Sequence, residues 1–296
     1  MTVLETIQRS AEFLARKGVE SPRLNAELLL AHVLGMPRMQ LYLNFERALT
    51  AAEVEAMRHA VQRRGHREPV QHIIGTTSFC GLELAVNRHV LIPRPETELL
   101  AECGWKYLAG VPPAAATALD WGTGCGCLAI ALAAHCPAAR VLAVDISPEA
   151  LEVARQNVAR HALAARVQLA LGDGFAAVPR QMRFALIVSN PPYIPSAEIQ
   201  TLAPEVRQFD PPAALDGGPD GLEFIRRLAS QAGEFLSAEG RLMMEFGDGQ
   251  ADAAAQLFSA PPWTIEAIRT DDNHRPRFIV AQYGRAANAE RASSDD

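Results

Sequence analysis

A chain of 296 residues, 49% of them hydrophobic, can bury the core of one large domain and a small one. Its 28 Lys and Arg against 34 Asp and Glu give a formal charge of −6. That argues against a dedicated nucleic-acid binder, which would carry a basic excess or stripe. The five cysteines (80, 103, 125, 127 and 136) form no disulfide framework and fit a reducing cytoplasm. Cys125-x-Cys127 has no second ligand pair nearby, so no metal is expected. The opening Met1-Thr2-Val3-Leu4-Glu5 lacks the basic and apolar regions of a signal peptide, and no apolar run reaches about 18 residues. A cytoplasmic chain with no membrane partner is the expectation.

Residues 1–67 read as a small helical bundle. Ala11, Leu14 and Ala15 recur at helical spacing, and Ser21-Pro22 opens a second helix, Leu24 to Leu34, with Ser as cap and Pro in the first turn. Gly35-Met36-Pro37 stops it, Arg38 to Phe45 reads as a short third helix, and Thr50-Ala51-Ala52-Glu53 is a capping-box pattern for a fourth. The basic cluster from Arg58 to Arg67 reads as a solvated helix face. Residues 68–92 change texture: Gln71–Ile74, Thr76–Phe79 and Leu82–Val86, punctuated by Gly75 and Gly81, predict a β-hairpin or ribbon. After Pro93-Arg94-Pro95, Glu96-Thr97-Glu98 opens a helix towards Leu108.

Residues 93–285 carry an α/β pattern. Strands are predicted at Thr117–Asp120, Val141–Asp145, Val167–Leu171, Phe184–Ser189, Arg241–Glu245, Thr264–Ile268 and Phe278–Tyr283, with helices near 127–135, 148–161, 221–236 and 249–258. Such alternation predicts a mostly parallel sheet with helices on both faces. Residues 286–296 are small, polar and charged and read as a disordered tail.

Between the first strand and helix of that sheet lies Asp120-Trp121-Gly122-Thr123-Gly124-Cys125-Gly126. Its glycines let the backbone turn tightly beside a ligand. The G-x-G-x-G spacing differs from the dinucleotide fingerprint and suits a nucleoside with an amino-acid tail. Asp145 closes the second strand, where a carboxylate accepts ribose hydroxyls, and Asp173-Gly174 follows the third, within reach of an adenine amino group. Each acid alone would be an ordinary cap or turn residue. The three strand ends together resemble the class I S-adenosylmethionine-dependent methyltransferases, a Rossmann-like fold with a seven-stranded sheet.

After the fourth strand comes Ser189-Asn190-Pro191-Pro192-Tyr193. Paired prolines hold Asn190 and Pro191 extended and remove two N–H donors, leaving carbonyls, one amide side chain and an aromatic ring on a rigid rim. Such a loop is as often merely a turn. At this strand end it resembles methyltransferases that modify planar nitrogens, in adenine or glutamine. Asn190 Oδ1 and the Pro191 carbonyl would each accept an N–H of the flat group, and Tyr193 would pack on it and exclude water.

Leu91-Ile92-Pro93-Arg94-Pro95-Glu96-Thr97-Glu98, Asn190 to Pro195, Asp210-Pro211 through Leu222, and Ser21-Pro22-Arg23-Leu24-Asn25-Ala26-Glu27 together resemble the HemK/PrmC family, over residues 5 to 283. These are the peptide chain release factor glutamine N5-methyltransferases. The resemblance implies methyl transfer from S-adenosylmethionine to the glutamine of a Gly-Gly-Gln loop in class I release factors, leaving S-adenosylhomocysteine. It implies that residues 1–67 help hold the substrate. By matching positions it places Gly122, Thr123, Gly124, Cys125, Gly126, Asp145, Asp173, Gly174 and Asn190 on the cofactor, and Asn190, Pro191, Pro192 and Tyr193 on the glutamine. Arg94, Glu96 and Thr97 would line the approach, or Arg94 and Glu96 would form an ion pair fixing the linker. A monomer is expected. Many relatives carry an aromatic residue where this chain has Gly174, with Phe175 next, so adenine would stack differently here. The stretch from Asp271 to Phe278 follows the family loosely, with His274 as a surface loop residue. The rivals are a ribosomal protein L3 glutamine methyltransferase and, more distantly, an adenine-N6 methyltransferase, which normally needs a recognition domain and a basic face.

Overall fold

The computed structural model of the chain describes residues 1–271 and 273–284. Asp272 and the expected tail at 286–296 lie outside the described residues. Two compact units result: residues 1–76 with 202–209, and residues 77–201 with 210 onward.

The first unit is helical. Its helices are α1 (Val3–Arg16), α2 (Pro22–Leu34), α3 (Arg38–Leu41), α4 (Ala51–Gly65) and α5 (Val70–Ile74). The Thr50–Glu53 capping box forms at α4, and a second one, Thr2 with Glu5, opens α1. Ser21 corrects the sequence expectation. It sits before α2 in the left-handed region (φ 47°) and makes no side-chain cap; the Asn25 amide instead donates to the Glu20 and Ser21 carbonyls. α3 ends at Leu41 rather than Phe45, because Tyr42, Leu43 and Asn44 take the tighter bonds to the carbonyls three residues back. Residues 71–74 are helical, not a strand: Val70 and Ile73 are buried at helical spacing, and Gly75 (φ 84°) closes the turn. A stretch of four residues is too short for its period to decide. Ile7, Leu14, Leu29, Leu30, Met57 and Ile73 belong to one core. Residues 202–209 complete the unit: Glu205 receives Arg64 at 2.8 Å and Arg67 at 2.6 Å. Burial works against that carboxylate, yet hydrogen bonds from Arg67 and Arg64 hold it at about 2.

The second unit takes in all but the first residue of the hairpin β1 (Thr76–Phe79) and β2 (Leu82–Ala85), joined at Cys80 and Gly81, both at positive φ as a tight hairpin turn requires. Then come α6 (Pro95–Ala109), β3 (Thr117–Trp121), α7 (Cys127–His135), β4 (Arg140–Asp145), α8 (Pro148–Arg160), β5 (Val167–Leu171) and β6 (Phe184–Ser189). The excursion into the first unit carries α9 (Pro204–Phe209); α10 (Glu223–Gln231), β7 (Leu236–Glu245), α11 (Ala251–Leu257), β8 (Trp263–Thr270) and β9 (Pro276–Tyr283) follow. The seven-stranded sheet runs β5-β4-β3-β6-β7-β9-β8, parallel through β7, with β9 antiparallel to both its neighbours. All seven predicted strands are present, and the α/β expectation holds.

β6 is buried at every position because both sheet faces are covered. One core joins Leu100, Leu128, Ile130 and Val153 to Ala118, Val141 and Leu186. The other joins Phe175, Ile225, Leu228 and Phe258 to Leu119, Ile187 and Leu242. Burying each such Leu or Ile contributes about 1.5–3 kcal/mol. Asn157 of α8 ties the hairpin into this unit, bonding both backbone groups of Ala85 and the Cys125 carbonyl. No described helix is long and apolar enough to cross a membrane.

Candidate active site

Strand order reverses at β3, flanked by β4 on one side and β6 on the other, and a cavity of about 670 Å³ opens at the carboxyl ends of these strands. Gly122, Thr123, Gly124, Cys125, Asp145, Asp173, Gly174, Asn190 and Pro192 line it, together with Thr97 and Trp121.

The loop after β3 is shaped by a buried acid. Asp120 Oδ2 accepts the Thr123 hydroxyl at 2.6 Å and the Ala129 N–H at 3.0 Å, while Oδ1 has no partner. Burial pushes this carboxyl up to about 7. Gly122 and Gly124 adopt φ of 77° and 56° with open space where a Cβ would stand, so the backbone itself faces the cavity. Gly126 has a packing role and does not line the cavity: its Cβ would press on Ile130 and Ala154. Asp145 fixes the loop to β4, accepting the Gly124 N–H at 2.7 Å and the Ser147 N–H at 2.9 Å.

Asp173 lines the cavity, but its carboxylate also pairs with Arg227 at 2.6 Å. Gly174, at φ 57°, lies so close to Trp121 that a Cβ would stand 2.6 Å from the indole. The aromatic group beside Gly174 is therefore Trp121, with the Arg227 guanidinium 5.5 Å from its ring. Trp121 Nε1 is buried without a partner. Phe175 points into the core, stacked on Phe235 at 4.9 Å.

Parallel pairing of β6 with β7 sets Ser189 beside Met244, which brings the next residues, Asn190 and Glu245, together. Asn190 Nδ2 donates to Thr97 Oγ1 at 3.0 Å, and Thr97 donates to Glu245 Oε2 at 2.7 Å. The Tyr193 hydroxyl donates to Glu245 Oε1 at 3.3 Å. Burial pushes Glu245 up to about 7, and burial with the adjoining Glu245 carboxylate raises the Tyr193 phenol. Pro191 and Tyr193 do not line the cavity; the Tyr193 ring turns towards Gly247, and its carbonyl accepts the Gln250 amide at 2.9 Å. Arg94 and Glu96 do not line it either. Arg94 pairs with buried Asp210 at 2.6 Å, whose carboxyl burial holds at about 6, while Glu96 faces a separate acidic cavity with Glu98 and Glu102. His274 is exposed in a turn built on Asp271, which accepts the N–H groups of Asn273 and Arg275.

Sequence reasoning missed Trp121, Arg227 and Glu245. Trp121 lies inside the quoted glycine motif. Glu245 was visible only as a lone acid closing an apolar strand. The arrangement sets backbone groups, two carboxylates, an indole and one oriented amide around a single cavity.

Residues 5–75 match the PrmC N-terminal domain model, and residues 99–206 match the methyltransferase small domain. A release factor glutamine methyltransferase of Geobacter sulfurreducens is 47% identical over 283 residues, covering 96% of this chain and 97% of its own length. The protein of that name from Chlorobaculum tepidum is 44% identical over 262 residues, covering 86% and 88%. Among solved structures, a methyltransferase from Pyrococcus furiosus is 18% identical, covers 69% of this chain and 90% of its own, and superposes with a TM-score of 0.50, which speaks to the fold alone. A likeness of this degree over nearly the whole chain decides membership: the protein belongs to the release factor glutamine methyltransferase family.

Proposed function

We propose that the protein transfers a methyl group from S-adenosylmethionine to the side-chain amide nitrogen of the glutamine in the Gly-Gly-Gln loop of class I peptide chain release factors. The supporting observation is the opening of Asn190, tethered through its Nδ2, onto the same cavity as the Gly122–Gly124 backbone and Asp145. The cavity suits the cofactor. Gly122 and Gly124 leave a cradle that any Cβ would fill, Asp145 and Asp173 present carboxylate oxygens, and the indole of Trp121 carries an unpartnered N–H. Gly122 to Cys125, Asp145, Asp173 and Gly174 would hold it. Bound there, S-adenosylmethionine supplies an electrophilic methyl group on a sulfonium.

An amide nitrogen is a poor nucleophile because its lone pair is delocalised into the carbonyl. Asn190 Oδ1, on the cavity wall, accepts one N–H, and the Pro191 carbonyl, set between the lining residues Asn190 and Pro192 though Pro191 itself does not line the cavity, would accept the other, aiming the remaining lone-pair direction at the methyl carbon. Pro191 and Pro192, lacking N–H groups, keep that rim free of competing donors. Tyr193 braces the rim from behind through Glu245. The nitrogen sheds one proton as it gains the methyl. The helical unit, residues 1–76 with 202–209, holds the release factor, and the protein works as a cytoplasmic monomer without nucleic acid or membrane.

The test is methylation with labelled S-adenosylmethionine of four substrates: a release factor, its Gly-Gly-Gln glutamine-to-alanine variant, ribosomal protein L3 and a DNA duplex, with the label mapped by peptide mass spectrometry. Label on that glutamine alone, lost with an Asn190→Ala enzyme, is the expected result. Label on L3 or DNA with none on the release factor would overturn the substrate.

A further inference from the structure

We propose that Thr97 and Glu245 are positioning residues that determine which end of the Asn190 amide faces the cavity, and so whether the site presents an acceptor or a donor to its target nitrogen. This rests on the proposed function, in which Asn190 accepts an N–H from the glutamine.

Hydrogen counting carries the inference. A threonine hydroxyl has one hydrogen and two lone pairs, and an ionised carboxylate only accepts. Thr97 Oγ1 stands 2.7 Å from Glu245 Oε2 and 3.0 Å from Asn190 Nδ2. With Glu245 ionised, the one hydrogen goes to the carboxylate and the hydroxyl can only accept from Asn190. The amide must then offer its NH2 to Thr97. Oδ1, its other end, has no partner among the described residues and is left for a target N–H. The Tyr193 hydroxyl occupies the second carboxylate oxygen, so both oxygens are held as acceptors. Thr97 is 1% exposed and Glu245 3%, so water does not replace either partner. Burying a carboxylate there is costly without such partners.

Protonation reverses the chain. A Glu245 carboxyl donates to Thr97, whose hydrogen turns to Asn190, and the amide then either loses its tether or turns its NH2 towards the cavity. There it would meet the target's own N–H groups, donor against donor. The groups facing Glu245 are Glu96 and Thr97 from α6, Tyr193 from the loop after β6 and Arg277 from β9. Burial, aided by Glu96, outweighs the hydrogen bonds from Thr97 and Tyr193 and the charge of Arg277, which leaves the carboxyl close to neutral pH. The acceptor state therefore prevails above that range and fails below it.

The experiment is steady-state methylation of a release factor by the full chain between pH 6 and 9, for the wild type, Thr97→Val, Thr97→Ser, Glu245→Gln and Asn190→Ala. Thr97→Val keeps shape and removes both hydrogen bonds. It is expected to lower kcat about tenfold or more, with KM for S-adenosylmethionine within about twofold, while Thr97→Ser returns to within about threefold of wild type. Wild-type kcat is expected to rise through about pH 7. Glu245→Gln is expected to lose that rise and run flat and low. Thermal unfolding and calorimetric binding of S-adenosylmethionine identify any variant that has failed to fold, and Thr97→Ser against wild type then carries the pH comparison. A folded Thr97→Val enzyme with wild-type kcat, or a Glu245→Gln enzyme that keeps the rise, would overturn the inference while Asn190→Ala remained inert. An active Asn190→Ala enzyme, or a wild type that leaves the release factor unlabelled, would instead overturn the proposed function.

Discussion

Gly174 and Trp121 make a matched pair, and Gly174→Ala tests it. The new Cβ would stand 2.6 Å from Trp121 Cζ2 and Nε1 and 2.7 Å from Cε2, all atoms of a rigid ring that is 4% exposed. The residue also holds φ at 57°, where a side chain costs about 1–2 kcal/mol. Overpacking adds about 1–3 kcal/mol, so the single substitution should cost about 2–5 kcal/mol. Trp121→Leu should cost about 2–3 kcal/mol by opening a void and losing the Arg227 contact. In the double variant the ring is gone, and the clash with it, leaving only the φ cost at position 174 and the void. The double variant should therefore be about 1–3 kcal/mol less destabilised than the sum of the singles. Urea unfolding followed by far-ultraviolet circular dichroism measures all four proteins. Additivity within about 0.5 kcal/mol would refute the claim that the indole occupies the place of a side chain at Gly174.

Three other expectations follow from the ion pairs and the loop after β6. Arg94→Met leaves the Asp210 carboxylate buried alone and should cost about 2–3 kcal/mol at pH 8. Because burial already raises that acid to about 6 and losing Arg94 raises it further, the cost should shrink as pH falls towards about 6 and level off below it, whereas a pH-independent loss in urea midpoints would count against it. Glu205→Gln should cost about 2 kcal/mol near neutral pH, after allowing for solvent screening. The wild-type carboxyl is held at about 2 against an ordinary 4.5, so its contribution is complete above 4.5 and lost as pH falls towards 2; the gap between thermal melts of the two proteins should narrow by somewhat under half from pH 7 to pH 3.5. Gln250→Leu removes the amide that joins the Tyr193 and Gly221 carbonyls and should lower kcat about tenfold with KM for the cofactor unchanged; an unaltered kcat would show that the rim holds its shape without it.

What the sequence made legible follows the length of each signal. Seven strands and the helices between them were readable because buried apolar runs and helical repeats each extend over several residues, and because Gly122 to Gly126, Asp145, Asp173 and Asn190 all fall at strand ends. Four residues at 71–74 and the turn after Leu41 were too short to show a period. Ser21 misled because residue identity favours a cap while the backbone enters the left-handed region. Glu245 became meaningful only through the β6–β7 register, and Trp121 only through the glycine it covers across the sheet. Arg94 has its partner in Asp210, which arrives after the chain's excursion, so neighbouring Glu96 was the natural but mistaken choice.

Synthesis order gives the discontinuity of the helical unit a further consequence. That unit begins with the first residue and is complete only when residue 209 has been made. Until then Arg64 and Arg67 on and after α4 lack the carboxylate of Glu205. Residues 77–201, 125 in all, separate the two parts, roughly 6–25 s of translation at about 5–20 residues per second. The first four strands of the parallel sheet emerge during that wait, ahead of the segment that finishes the unit begun first. A nascent chain stalled before residue 202 should hold its amino-terminal helices in a less protease-resistant state than one stalled after residue 209 has cleared the ribosome.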